Sequence, residues 1–410
     1  MTPINIRDLQ TLAKKRLPRL LYDYLDGGTH DELTLAANTA DFAHLRFVPR
    51  VLNDVSKVDL STTIFGEQLS MPLICGPVGS LGVLSRLGDI ATAKAAEACG
   101  ITSCLSTTAV SSVEDVTAAR TNPIWFQLYV MNEPGHHQEL IRRAKAAKCR
   151  ALVLTVDTAI PATRERDVRH GYTYTAKMKP SNIIDMLTKV RWMQDVLMGP
   201  KLSFGSMPGG KGNFKRIMSK AGGELIAKDL TWESFKAIRS MWDGPLVLKG
   251  ILSPKDAVTA LNYGADGIVV SNHGGRQLDG AISTIKALGP VVDAVNDKAV
   301  VMMDGGIRRG QDIVKALAMG AKVCLIGRGY AYGLAANGQA GVEQSIEILR
   351  NEMSSIMGML GCTNVSQLDR SLLHTGERDV LGHDRCNGAA THSSDPSVAR
   401  ALAEAASYLR

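Results

Sequence analysis

Aromatic side chains make up only 5% of this sequence, and no apolar run reaches the roughly eighteen residues that a membrane-spanning helix needs. A transmembrane bundle is therefore not expected. Seven cysteines, Cys75, Cys99, Cys104, Cys149, Cys324, Cys362 and Cys386, form no CxxC pair and no metal-ligand spacing, so neither a metal site nor a disulfide framework is expected. Their odd number and scatter indicate a reducing compartment, and Cys75, Cys104 and Cys324 fall in apolar strand candidates as small buried hydrophobes. The N-terminal MTPINIRDLQTLAKKRLPR lacks the apolar stretch of a signal peptide. No Walker A run is present and no GxGxxG follows a strand, so neither an NTP P-loop nor a Rossmann dinucleotide site is supported. The formal net charge of +7 raises nucleic acid as a partner, but no long basic run interleaved with aromatics accompanies it, and nucleic acid is set aside.

What the chain does have is apolar bulk and glycine. With 410 residues, 45% hydrophobic and 39 of them glycine, it can bury one large α/β domain or two smaller ones. Eight short β-rich runs recur: MPLICGPV (71–78), ITSCLST (101–107), IWFQLYV (124–130), ALVLTVD (151–157), PLVLKGI (245–251), GIVVSNH (267–273), AVVMMDGG (299–306) and KVCLIGR (322–328). Most lack polar alternation, as strands covered on both faces do. Helical patterns such as GDIATAKAAEACG and SPKDAVTALNYG separate them, several opened by Ser or Asp and closed by Gly. Eight strands with intervening helices predict a (β/α)8 TIM barrel. Helical stretches around NIRDLQTLAKKRL and PRLLYDYLDGG predict an N-terminal helical cap. Residues 158–244, between the fourth and fifth strands, exceed what one helix and two loops require. The expected organisation is a barrel domain over 1–372 with an insertion at about 171–230, then a 373–410 tail without an assigned role.

The ends of these strands carry polar groups. Ser106, Gln127, Tyr129, Thr155, Asp157, Lys249, Ser271, His273, Asp304 and Arg328 all fall at or near the C-terminal ends of strand candidates, where barrels keep their chemistry. The run SNHGGRQLDG (271–280) places His273 and Arg276 around two glycines, which suits a substrate with a carboxylate beside a bond that loses a proton. A glycine-rich turn with two solvated side chains is the plainer reading. DGGIRRG and LIGRGY offer glycine amides, Arg308 and Arg328 just before helix starts, the makings of a phosphate site, or alternatively no more than tight βα turns.

SNHGGRQLDG, together with WFQLYV, TVD followed by RERD, LVLKG, DGGIRRG and LIGR, resembles the FMN-dependent α-hydroxy acid dehydrogenase and oxidase family over roughly residues 5–370. Within the family the membrane-associated (S)-mandelate and L-lactate dehydrogenases are the most similar. The resemblance implies FMN as cofactor and assigns roles by position. His273 would be the base, Asp157 its partner, and Tyr129 a hydrogen-bond donor to the substrate hydroxyl. Arg276 and Tyr24 would grip the substrate carboxylate, with Arg164 in support. Lys249 would sit beside the flavin pyrimidine. Ser106, Gln127, Thr155 and Ser271 would hydrogen-bond the flavin, with Val78 and Gly79 near its reactive nitrogen. Asp304, Gly306, Arg308, Gly327 and Arg328 would hold the ribityl chain and phosphate. Some relatives carry a tryptophan where Thr108 stands, so Thr108 and Gly79 leave room for something larger than glycolate, lactate and mandelate both remaining open. A homotetramer is also implied.

The electron acceptor is read from the insertion. Residues 177–220 hold nine Lys or Arg against two Asp, a net of +7 equal to that of the whole chain. Ile183, Met186, Leu187, Val190, Met193 and Leu197 fall at helical spacing on one face, the pattern of a basic amphipathic helix in an anionic membrane surface. An active-site lid or subunit contact is the competing reading. Membrane contact through about 177–220 would make quinone the acceptor and place a cytoplasmic protein on the inner face of the membrane. Without it, a soluble oxidase using O2 and releasing H2O2 is the alternative. An FMN-barrel isomerase and a non-catalytic binding barrel are the readings from other classes.

Overall fold

The computed structural model describes residues 2–171, 179–198, 205–206 and 226–374, all within one compact unit, Met1–Thr375. Three helices come first: α1 (Ile6–Arg16), α2 (Arg19–Asp26) and α3 (Leu33–Ala40). Asn5 caps α1 by accepting from Asp8 N at 2.9 Å, and Lys14, Lys15 and Arg16 occupy its last turn, both favourable to the helix dipole.

Eight parallel strands then close into a barrel: β1 (Leu73–Cys75), β2 (Thr102–Ser106), β3 (Trp125–Leu128), β4 (Leu152–Thr155), β5 (Leu246–Ile251), β6 (Gly267–Val270), β7 (Val300–Met303) and β8 (Val323–Ile326). β8 returns to β1 with Ile326 opposite Cys75. All eight predicted strands are present, and the fold is the (β/α)8 barrel that their apolar runs imply. Between them run α4 (Gly88–Ala98), α5 (Val113–Ala118), α6 (His136–Ala146), α7 (Glu165–His170), α8 (Pro180–Thr188), α9 (Val190–Leu197), α10 (Trp232–Met241), α11 (Pro254–Asn262), α12 (Thr284–Val295) and α13 (Gly310–Ala318). The last is α14 (Arg328–Met359), broken by non-helical backbone at Asn337 and Gly338.

Side chains alternate inward and outward along a strand, and this decides what reaches the mouth of the barrel. Ile74, Cys104, Trp125, Val153, Val247, Val269, Met302 and Leu325 form the inner core, whereas Leu73, Leu105, Phe126, Leu154, Leu248, Val270 and Met303 pack outward against helices. Two residues beyond the inner set stand Gly76, Ser106, Gln127, Thr155, Lys249, Ser271, Asp304 and Gly327. One alternation thus builds a dry lower layer and a polar upper one. The other end is closed by a hairpin, Thr62–Ile64 with Glu67–Leu69. Ile64 and Leu69 join the inner core, and the Phe65 ring lies 5.6 Å from that of fully buried Trp125.

The insertion differs from its sequence pattern. Lys189, with ψ of 56°, ends α8 and starts α9 as a separate helix, so the apolar stripe is split. Met186 and Met193 pack on the core, while Ile183, Leu187 and Val190 are exposed. A single-helix wheel could not anticipate that division. Inward-facing polar bonds fasten α9: Asp195 Oδ2 accepts from Arg16 Nη2 at 2.9 Å and Ser85 Oγ at 2.7 Å, and Trp192 Nε1 donates to Val83 O at 2.9 Å. Much of 177–220, including Lys177, Lys201, Lys211, Lys215, Arg216 and Lys220, lies outside the described residues, as do the Leu197 side chain, Cys386 and the tail from 375 onward. Among the described residues no helix is long and apolar enough to cross a membrane. The six described cysteines are buried and free, and burial pushes the Cys149 thiol up to about 12.

Candidate active site

The loop after β6 turns through three successive left-handed residues, His273 (φ 58°), Gly274 (φ 65°) and Gly275 (φ 71°). A histidine there costs on the order of 1 kcal/mol of backbone strain, which the surroundings must hold in place. They do so closely. Gly275 O accepts from Thr29 N at 3.0 Å, and a Cβ on Gly275 would fall 2.6 Å from Leu35 N on α3. Asn272 and Asn38 exchange two amide bonds of 2.8 Å across the same contact.

So held, the His273 ring is engaged at both nitrogens. Nδ1 meets Asp157 Oδ1 at 2.8 Å and Nε2 meets the Tyr129 hydroxyl at 3.3 Å. Burial works against the Asp157 charge, but His273 and then Lys249 outweigh it and hold the carboxyl below its ordinary range. An anionic Asp157 fixes the tautomer with the proton on Nδ1, leaving Nε2 as acceptor. Lys249, also buried, donates to Ser271 Oγ at 3.0 Å and lies 3.2 Å from Asp304 Oδ2. Burial disfavours its ammonium, yet Asp304 and Asp157 keep it above its usual value.

Cations gather at the C-terminal end of α2. Arg276 Nη1 donates to Tyr24 O at 2.7 Å and Gly27 O at 3.0 Å, with its guanidinium 5.1 Å from the centre of the Tyr24 ring. Arg164 lies 5.8 Å from the same ring and bonds Asp167 at 2.6 Å. The Tyr24 hydroxyl donates to Gly79 O at 3.2 Å. Each nitrogen of Arg328 donates to a carbonyl: Nε to Leu25 O (3.1 Å) and Asp26 O (3.2 Å), Nη2 to Gly27 O (2.7 Å) and Nη1 to Gly274 O (2.8 Å). Burial and the neighbouring Arg276 pull its guanidinium down to about 9, which leaves it charged at neutral pH.

One cavity joins these groups. Tyr24, Val78, Gly79, Ser106, Thr108, Tyr129, Arg164, Lys249, His273, Arg276, Asp304, Gly306, Arg308, Gly327 and Arg328 line it. Asp157, Gln127, Thr155 and Ser271 do not; they stand behind lining residues. Ser106 Oγ donates to Gln127 Oε1 at 3.1 Å and Gln127 Nε2 to Thr155 Oγ1 at 3.0 Å, a buried chain along three strand ends. The lining suits a flavin nucleotide. Asp304 Oδ1 is buried without a hydrogen-bond partner, Gly306 approaches Asn38 O too closely for any Cβ, and α14 begins at Arg328 beside Gly327, a phosphate-accepting arrangement.

The sequence reading missed Asn38, Asn272 and Gln277, although the last two lie within the motif it singled out. Only their residue type was visible there; their partners lie far away in the chain. The walls also include Met131 and Ile226, bridged backbone to backbone where the insertion returns to the end of β3.

A cavity lined by buried titratable and cationic groups at the C-terminal end of the strands is where a barrel enzyme keeps its active site. Residues 13–375 match the model of the FMN-dependent dehydrogenases, and the chain belongs to that family. It is 44% identical over 378 residues to an L-lactate dehydrogenase of Pseudomonas syringae, covering 89% of this chain and 97% of that one. To an L-lactate dehydrogenase of Caulobacter vibrioides it is 42% identical over 369 residues, covering 89% and 96%. The solved structure of the monotopic membrane protein (S)-mandelate dehydrogenase is similar with a TM-score of 0.87 at 35% identity, covering 92% of this chain and 100% of that one. A mandelate oxidase with (S)-4-hydroxymandelic acid gives 0.80 at 35% identity, covering 91% and 98%. FMN is the cofactor of this family.

Proposed function

We propose that the chain oxidises an (S)-2-hydroxy acid to the 2-oxo acid, with His273 as the base and Arg276 and Tyr24 holding the substrate carboxylate. The observation that carries this is the Asp157–His273–Tyr129 line ending on a cavity that Arg276 also lines. Bound FMN supplies the acceptor for two electrons. The protein's own groups do the rest. Arg276 selects acids over neutral alcohols, a charge-assisted contact worth about 1.5–3 kcal/mol. Tyr129 orients the hydroxyl, and Nε2 of His273 takes a proton while Asp157 stabilises the imidazolium. Carbanion and hydride routes differ in which proton leaves first and need the same base. Lys249 would stand by the flavin ring as a fixed cation. Ser106, Gln127, Thr155 and Ser271 would hydrogen-bond the flavin, and Val78 and Gly79 would lie near its reactive nitrogen. Asp304, Gly306, Arg308, Gly327 and Arg328 would hold the ribityl chain and phosphate. Thr108 and Gly79 leave the substrate side open. This machinery belongs to a domain of about 1–372, with the 373–410 tail outside it.

Electrons pass on, in this reading, to a membrane quinone. Exposed Ile183, Ile184, Leu187 and Val190, within a segment of net charge +7, support contact with the inner face of the membrane. Likeness to a mandelate oxidase favours the second reading, a soluble oxidase releasing H2O2. A homotetramer belongs to the proposal too, and exposed Leu33, Leu278 and Ile282 offer apolar area for it.

Anaerobic addition of L-lactate, (S)-mandelate and longer (S)-2-hydroxy acids to the yellow holoprotein tests the chemistry. Bleaching with at least one is expected; a spectrum unchanged by all of them overturns it. Deleting 177–215 should move the protein from membrane to cytosolic fractions, and an unaltered distribution counts against the membrane reading.

A further inference from the structure

We infer that Gln277 is a positioning residue for the proton-accepting pair: its side-chain amide fixes the backbone that carries Asp157, and so the direction from which that carboxylate meets His273. This rests on the proposed role of His273 as base.

Asp157 stands two residues beyond β4, in a stretch without regular structure that runs up to α7. The last ladder bond, from Val156 N to Lys249 O at 3.0 Å, stops one residue short of it. Its Oδ1 meets His273 Nδ1, while Oδ2 is buried without a hydrogen-bond partner. A carboxylate held in this way takes its direction from its own backbone. Two groups bear on that residue. Gly250, at φ 110° in the bulge of β5, approaches so closely that a Cβ there would lie 2.7 Å from Asp157 Cβ. Gln277 Nε2 donates to Asp157 O at 2.8 Å and to Ile160 O at 3.2 Å.

The loop that presents His273 therefore also carries the clamp on its partner, four residues further on. Because both come from one loop, a shift of that loop moves base and carboxylate together. Gln277 also lines the cavity, but its side-chain amide donates to the Asp157 and Ile160 carbonyls and not to the groups proposed to hold the carboxylate, so its removal should disturb proton transfer more than substrate binding. A purely structural amide would cost stability and leave the His273 ring as it was.

The test is Gln277→Met, which removes the donor at nearly constant length, in FMN-loaded protein labelled with 15N-histidine; Gln277→Leu serves if the methionine variant does not fold. The Nδ1 proton of His273, identified by its absence in His273→Gln, should give a far-downfield resonance in the parent. In the variant it should move upfield or vanish through solvent exchange. The anaerobic bleaching rate should fall about tenfold, with the apparent Kd for the acid within twofold. A resonance that stays in place, or a bleaching rate within twofold of the parent, overturns the inference. If no hydroxy acid bleaches the parent, the proposed function fails instead, and the resonance alone decides on Gln277.

Discussion

At the scale of single residues, the His273 ring is held at both nitrogens and its loop is pinned to α3, so its loss should be a chemical defect rather than a folding one. His273→Gln is expected to retain FMN and lower the bleaching rate by about a hundredfold to ten-thousandfold, the usual range for a lost general base; stopped-flow reduction with flavin content measured in parallel checks this. Arg276→Lys keeps the charge and loses the planar fork. It should raise KM for the acid roughly tenfold to a hundredfold with a smaller effect on kcat, read from steady-state kinetics. Residues such as Lys249, Ser271 and Asp304 were legible in the sequence because strand alternation alone aims them inward. Asn38 and Gln277 were not, since they act through an amide or a backbone carbonyl on a distant segment, which leaves no periodic trace. Arg328 is instructive in another way. Its sequence context suggests a phosphate ligand; the structure adds a second task, since each of its nitrogens donates to a carbonyl of α2 or the histidine loop while Nη1 and Nη2 each keep a further N–H.

At the scale of elements, α4 carries a titratable group near its start. Asp89 is fully buried and accepts from Val110 N and Ser111 N, both at 3.0 Å. Burial outweighs those bonds and raises its carboxyl to about 6. Between pH 4 and 6 the folded chain therefore binds more protons at this site than the unfolded chain, so this contribution to stability is full below about 4 and is lost as pH rises through 6. Melting temperatures from pH 4 to 7 should show that decline in the parent and a flatter profile in Asp89→Asn. The elements themselves were readable where both faces are buried, as in LVLT of β4. They were misread in the insertion, where the helix break falls at Lys189 with neither proline nor glycine to mark it, and the hairpin beneath the barrel was missed because TTIFGEQL is too short to show a period.

At the scale of the whole molecule, stability and chemistry occupy opposite ends of the barrel. Phe65 and Trp125 close the end remote from His273, and Phe65 is half-buried, so Phe65→Ala should lower stability by about 1–2 kcal/mol, less than a fully buried phenylalanine would, and leave kcat and KM unchanged. Denaturant titration beside steady-state kinetics tests that separation; a matching loss of activity would show that the two ends are coupled. The closed barrel followed from counting strands, but the docking of the N-terminal cap on the mouth did not, because it depends on close backbone approaches at Gly275 and Gly306.

That docking has a consequence for how the chain is made. Arg328 reaches Gly27 O across 301 positions of sequence, so α2 leaves the ribosome long before the arginines that hold its carbonyls. At about 5–20 residues per second the interval is roughly 15–60 s. During it the LLYDYL segment, whose Leu21, Tyr22 and Leu25 end up buried, has no barrel to cover it. Slowing or pausing synthesis between β4 and β8 should therefore lengthen chaperone association of the nascent chain, and the same pause placed after residue 328 should not.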